Sequence, residues 1–232
     1  MGHLLDVVAP PRLGRGFRWL LASSWTTNLG DGIALAAGPL LVASQTRNAI
    51  LVALAAMLQR LPWLLFGLWA GAVADRVDRR VLVVVSDVLR ALVVAVLCLA
   101  IATGWVDVTV VLVTMFLYGV AEVFADTASG TLLPMLVQRE DLGIGNARLQ
   151  AGFLTTNQLV GPPLGAFLFA VGAVWPFTVQ ALCVALGAVL VARVATPHGA
   201  LRDLAGTHVR RDIADGLRWI LHHPPVRTLA LV

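Results

Sequence analysis

Seven polar residues stand where a polar residue is expensive. Asp31 lies about 14 residues into a long apolar run, and Arg60 lies about 11 residues into the next. A charge at the centre of a bilayer costs about 2.5–3.5 kcal/mol on insertion scales, so each must face a cavity or a partner. If the two runs are antiparallel, Asp31 and Arg60 reach a similar depth and can pair. Alternatively Arg60 extends to the headgroups and Asp31 faces water alone. Glu122 and Asp126 are four apart, so they share one helix face. Glu122 is the deeper, suited to carrying a proton or touching a substrate; Asp126 is level with a basic loop and suited to a gate contact. Both are open to a plainer reading as structural partners of arginines. Asn28, Asn157 and Gln158 add uncharged hydrogen-bonding groups on the same side of the lipid boundary.

These residues sit in a chain built for lipid. Of 232 residues, 59% are hydrophobic and 13% charged, and mean hydropathy is +0.85. A soluble domain carries about a quarter charged residues. The net charge of +4 rests wholly on arginine, since lysine is absent. Most arginines lie outside the apolar runs, in the links and flanking segments, which points to membrane orientation and away from nucleic acid. Cys98 and Cys183 fall inside apolar runs and read as small core residues. No Walker motif, no Ser/His/Asp or Cys/His set at common depth and no metal-ligand spacing is present; Gly143-Ile144-Gly145 and His222-His223 satisfy neither a nucleotide loop nor a metal site. Enzyme chemistry, cofactors and metals are therefore not expected.

Length sets the spans. Runs at 17–43, 49–74, 81–102, 108–128 (extending towards 136), 147–171 and 174–195 can each form a crossing helix, which makes an all-α membrane protein of six spans. Arg12, Arg15, Arg76, Arg79, Arg80 and Arg139 fall on one side of this arrangement and Arg47 on the other. The positive-inside rule then places both ends of the six-helix unit in the cytoplasm. The four expected regions are a tail at 1–16, a bundle at 17–195, a polar segment at 196–225 and an apolar stretch at 226–232. In the third, Ile213, Leu217, Ile220 and Leu221 recur at helical spacing before Pro224-Pro225, as in an amphipathic surface helix. Seven residues at 226–232 are too few to span a bilayer.

The link after the second run reads Gly71-Ala72-Val73-Ala74-Asp75-Arg76-Val77-Asp78-Arg79-Arg80. It resembles the signature loop between helices 2 and 3 of the major facilitator superfamily, in the version carried by bacterial siderophore and drug exporters. Asp78 stands where that loop usually has glycine. Small residues there, Gly71, Ala72 and Ala74, would let helices approach closely. The fifth run holds Asn157-Gln158-Leu159-Val160-Gly161-Pro162-Pro163-Leu164-Gly165. It is similar to the helix-5 Gly-Pro motif of the superfamily's exporters, with Ala166 where a second glycine is common. Two prolines forbid a straight helix, and Gly161 and Gly165 clear one face. A packing kink without directional meaning is the plainer reading.

The resemblance implies the N-terminal half of a twelve-helix transporter, with 226–232 as the start of a truncated seventh helix. It implies proton-coupled export of a small, partly apolar compound by rocking against a C-terminal six-helix half. Asp75, Arg76, Arg79 and Arg80 would form the cytoplasmic gate, with Asp126 as their partner on the fourth helix. The expected partners are the bilayer, a small-molecule substrate, protons and the missing half; the expected location is the inner membrane of a bacterium. The competing reading is an orphan six-helix bundle that serves as a membrane scaffold or partner subunit.

Overall fold

A computed structural model describes residues 10–195. The tail before residue 10, the segment 196–225 with its amphipathic stretch, and residues 226–232 lie outside the described residues. A short 3-10 turn, Pro11–Leu13, leads into α1 (Gly14–Gln45). Then come α2 (Ala49–Ala74), α3 (Arg79–Ala102) and α4 (Val108–Leu136). A second turn, Arg139–Asp141, precedes α5 (Leu142–Gly152), which runs through a π-helical segment, Phe153–Val160, into α6 (Gly161–Val171). The last helix is α7 (Trp175–Val191). No strand occurs among the described residues.

Three of these helices, α2, α3 and α4, are long and apolar enough to cross a bilayer. At 32 residues α1 is longer still, about 48 Å at 1.5 Å per residue, but it carries Arg15, Arg18 and Asp31. The apolar α7 is shorter, at 17 residues. The fourth run extends to Leu136, through Pro134, and the fifth begins at Leu142, five residues earlier than the apolar pattern alone suggests.

Helix ends are set by local chemistry. The Asn48 side chain accepts from Ile50 N–H at the start of α2 (2.9 Å). Asp78 accepts from Arg80 and Val81 N–H (2.9 and 3.2 Å) at the start of α3, and Asp107 from Val110 N–H (2.7 Å) at the start of α4. Each carboxylate or amide satisfies helical N–H groups that have no intrahelical partner. The unusual Asp78 of the charged loop is thus a helix cap. At the other end of α3, Gly104 takes φ +75°. Its N–H reaches Ile101 O (3.2 Å) and Trp105 N–H reaches Ala100 O (2.9 Å), the paired closure that a left-handed residue permits.

The burial pattern of α3 is the reverse of a soluble helix. Its inner face holds Val83, Ser86, Asp87, Arg90, Val94 and Leu97; its outer face exposes Val85, Leu89, Leu92, Val96 and Leu99. Polar groups turned inward and leucines turned outward fit a helix whose solvent is hydrocarbon. Two apolar clusters cap the bundle's ends. One joins Phe17, Leu20 and Leu21 to Ala74, Val83, Leu132, Leu133 and Val191. The other joins Ala37, Leu41 and Val42 to Ala55, Val94, Leu97, Val111 and Phe177. The polar layer lies between them. Arg12 pairs with Asp141 (3.4 Å), which brings the N-terminal turn and the α4–α5 link to the same end of the molecule.

Replacing a capping carboxylate by alanine usually costs about 1 kcal/mol. Asp78→Ala should destabilise the purified protein by about that amount and Asp78→Asn by much less. Tryptophan fluorescence during thermal unfolding in detergent measures both; equal losses would show that the cap is not what Asp78 supplies.

Candidate functional site

The polar layer is organised around one guanidinium. Arg90 of α3 is the largest fully buried side chain, 1% exposed. Its Nη1 donates to Asp87, one turn earlier on α3, at 2.8 Å. Its Nη2 donates to Asp31 Oδ1 of α1 at 2.5 Å and to the Tyr118 hydroxyl of α4 at 2.7 Å. The Tyr118 O–H in turn donates to Asp31 Oδ1. The guanidinium carbon stands 4.7 Å from the centre of the Tyr118 ring, so the same residue gives a cation–π face and a hydrogen bond. Three helices are tied at a single point. A buried arginine is tolerated only with such partners, because stripping water from an ion costs several kcal/mol.

Glycines place Asp31 in this layer. A Cβ on Gly30 would press on Cys183 and the Gln180 carbonyl of α7; one on Gly32 would collide with the backbone of Thr156 and Asn157 in the π segment. α1 therefore runs close between these elements, and Asp31, between the two glycines, faces α3 and α4. The π segment continues the same close crossing. Gly161 lies against Gly32 and Gly165 against Ile33, in each case backbone on backbone. The Gly161 N–H bonds to Thr156 O, five residues back. Pro162 and Pro163, which have no N–H, then occupy the first turn of α6, where no donor is needed. The two prolines thus open a helix after a π turn.

Beside the layer is a cavity of about 340 Å³. Asp31, Arg60, Glu122 and Asp126 reach it, together with Asn157 of the π segment and Gln180 of α7. Its apolar walls include Trp63, Met115, Phe153 and Phe177. Glu122 and Asp126 make no hydrogen bond or ion pair among the described residues, and neither does Arg60. The cavity thus presents free carboxylates and aromatic rings to one volume, a combination suited to an amphipathic guest.

Several expected contacts are replaced by others. Asp31 pairs with Arg90 and not with Arg60, which is exposed on the cavity wall. Asp126 turns to the cavity and makes no ion pair with the charged loop. The loop reaches α4 elsewhere: Arg79 donates to Asp75 (3.3 Å), to the Ala74 carbonyl (3.4 Å) and to Met135 Sδ (3.4 Å). Open space surrounds Gly71, so it serves no close approach, whereas Ala74 is buried in the core. Asn28 bonds back to Ser24 on its own helix (2.7 Å to the carbonyl), away from the cavity. Gln158 reaches the site only through Asn157, to which it donates at 2.7 Å. Arg76 and Arg80 remain at the loop, where Arg80 N–H meets the Asp78 cap.

Asp87, Arg90 and Tyr118 carry the site and were absent from the candidate residues. Arg90 stands in the middle of an apolar run, so the rule that singled out Asp31 applies to it equally. Tyr118 is the chain's one tyrosine. A family model described as transmembrane secretion effector matches residues 7–231. The chain belongs to that family of major facilitator proteins. A multidrug efflux pump, Tap, of Mycolicibacterium fortuitum is 32% identical over 222 residues, which cover 92% of this chain and 54% of the pump. Tap of Mycobacterium bovis is 29% identical over 215 residues, covering 88% and 50%. Macrolide efflux protein A of Streptococcus pyogenes is 26% identical over 146 residues, covering 63% and 35%. The chain spans about half the length of the curated Tap relatives it matches.

The α1 crossing is directly testable. Gly165→Ala should cost about 1–3 kcal/mol through overpacking against Ile33, while Gly130→Ala, which meets open space, should be neutral or stabilising. Comparison of unfolding midpoints in detergent decides; equal midpoints would remove the close crossing.

Proposed function

We propose that this family member is the N-terminal bundle of an exporter, and that it moves a small, partly apolar compound out of a bacterial cell by alternating access. The cavity carries the reading. It joins free carboxylates to tryptophan, phenylalanine and methionine walls beside a rigid charged layer. Such a pocket holds an amphipathic solute by burial while a polar group fixes its orientation. The efflux activity named for the relatives supports the same reading. The cavity acids support proton coupling: a carboxyl that takes up a proton on one side and releases it on the other can supply the driving force.

In this reading six helical rods cross the inner membrane: α1, α2, α3, α4, the continuous rod from α5 to α6, and α7. Both ends of the unit are cytoplasmic. The arginine asymmetry supports that orientation, as does the Arg12–Asp141 pair at the basic end. A second six-helix bundle closes the other side of the cavity. Alternating access needs it, because a site between two bodies must open to each face in turn. The loop around Asp75 and Arg79, packed on Met135, forms the cytoplasmic gate between α2 and α4.

Two measurements check this. In a Cys98→Ser/Cys183→Ser background, Arg47→Cys and Trp105→Cys should label from outside intact cells, and Glu140→Cys only after permeabilisation. Outside labelling of Glu140→Cys would sink the topology. For activity, the complete two-bundle protein in proteoliposomes should show saturable dye or macrolide flux driven by a pH gradient, and residues 1–232 alone should show none. Flux from the 232-residue chain alone would show that one bundle, or a homodimer of it, suffices. Absence of flux from both would favour a non-transporting scaffold.

A further inference from the structure

One charged wall of the cavity is left unexplained by the layer around Arg90. Gly119 of α4 sits against α2, where an added Cβ would meet the Pro62 ring at 2.9 Å and the Gln59 carbonyl at 3.6 Å. Gly119 directly follows Tyr118 and lies one turn before Glu122. The α2 backbone from Gln59 to Pro62 is therefore held at the level of the charged layer, and Arg60 comes with it. Counted from Ala49, Arg60 stands about 16 Å along α2, about half-way through a hydrocarbon core of about 30 Å. A charge at that depth needs a partner or an aqueous cavity. Arg60 reaches the cavity, is exposed there, and makes no hydrogen bond or ion pair among the described residues.

The two mid-depth arginines thus differ in kind. Arg90 is neutralised by Asp31 and Asp87, whereas Glu122 feels the Arg60 charge less than those of Asp31, Arg90 and Asp126. Trp63 follows Arg60 by three residues, so indole and guanidinium share one helix face. Trp63 lines the same cavity and is 42% exposed, which leaves its ring open to a solute. The acids come from other helices, Asp31 from α1 and Glu122 and Asp126 from α4. The cavity is bipolar: a free cation beside an aromatic ring on α2, and carboxyl groups on α1 and α4.

We infer that Arg60, beside Trp63, is a specificity-determining residue of the exporter: it binds a carboxylate carried on an aromatic ring, so the favoured cargo is a zwitterionic amphipath and not a simple cation. This rests on the export reading above. A guanidinium presents a planar fork of N–H donors that matches the two oxygens of a carboxylate. The indole face receives the flat ring to which that carboxylate is attached. The amine of the solute meets the acids, and Met115 and Phe177 cover its apolar body. A solute with positive charge alone is drawn by the acids but repelled by Arg60. The competing partner for Arg60 is an acid on the second bundle; the residue would then be structural, and its loss would weaken every solute alike.

The test compares two dyes that differ at a single carboxyl group, rhodamine B and its ethyl ester. At neutral pH the first is a zwitterion and the second a cation. Equilibrium dialysis gives the Kd of each for the complete two-bundle transporter in lipid nanodiscs, with binding to empty discs subtracted. Flux of both dyes is followed in proteoliposomes. Wild-type protein should prefer the free acid. Arg60→Gln, which strands no partner among the described residues, should fold, weaken the acid by about tenfold or more and leave the ester within about twofold. Arg60→Lys keeps the charge without the fork and should show an intermediate preference. The ratio of the two Kd values is the readout, because a merely structural role moves both dyes together. A wild type that prefers the ester, a ratio unchanged in Arg60→Gln, or an Arg60→Lys variant no more selective than Arg60→Gln overturns the inference. So does a wild type that moves the ester or a macrolide but not the free acid, a result that leaves the export reading standing. Wild-type protein that moves neither dye nor a macrolide overturns the export reading itself.

Discussion

A guanidinium inside a lipid-facing bundle must be surrounded by acceptors, and most of this architecture follows from meeting that demand at Arg90. Asp87 answers from the same helix, Asp31 from α1 and Tyr118 from α4. Because hydrocarbon offers no substitute partner, the three helices cannot slide or rotate independently without stranding a charge. The two apolar clusters at either end fill volume, but leucine against leucine is little better than leucine against lipid. The charged layer supplies the register that those clusters lack.

The same layer explains the backbone irregularities around it. For Asp31 to meet Arg90, α1 must pass within backbone contact of both α7 and the fifth rod. Gly30 and Gly32 permit this on α1, and Gly161 and Gly165 on the facing side. Pro162 and Pro163 cannot donate, so the bonding pattern just before them is redistributed into a π turn whose last N–H, that of Gly161, reaches back to Thr156. That turn brings Asn157 to the cavity wall. Small residues, prolines and a π segment thus serve one purpose, the approach of a helix carrying a buried acid.

Much of the fold was legible in the residue order. Apolar runs bounded by Asn48, Asp78 and Asp107 gave α2, α3 and α4 nearly to the residue, because caps and hydrophobic length act locally. The start of the fifth rod was not, since Leu142–Gly152 is too polar to read as a span. The site was half legible. Asp31 and Glu122, read as deep, line one cavity, and so does Asp126, which its level had assigned to the gate. The pairings were not recoverable, because depth alone does not say which way a side chain points around a helix axis. Arg60 and Arg90 satisfy the same depth rule for Asp31, and only the glycine-directed packing of α1 selects Arg90. Asp126 likewise matches the charged loop in level but faces the cavity.

The carboxylates of the cavity therefore divide into those fixed by the charged layer and those left free to meet a solute, and that division depends on the Asp31–Tyr118–Arg90 contact. A double-mutant cycle tests it most directly. Unfolding free energies of the wild type, Asp31→Asn, Tyr118→Phe and the double variant would be measured in lipid nanodiscs. A coupling energy of about 0.5–3 kcal/mol is predicted for groups sharing one hydrogen-bonded network. Additivity to within about 0.3 kcal/mol, as for distant independent sites, would contradict the account.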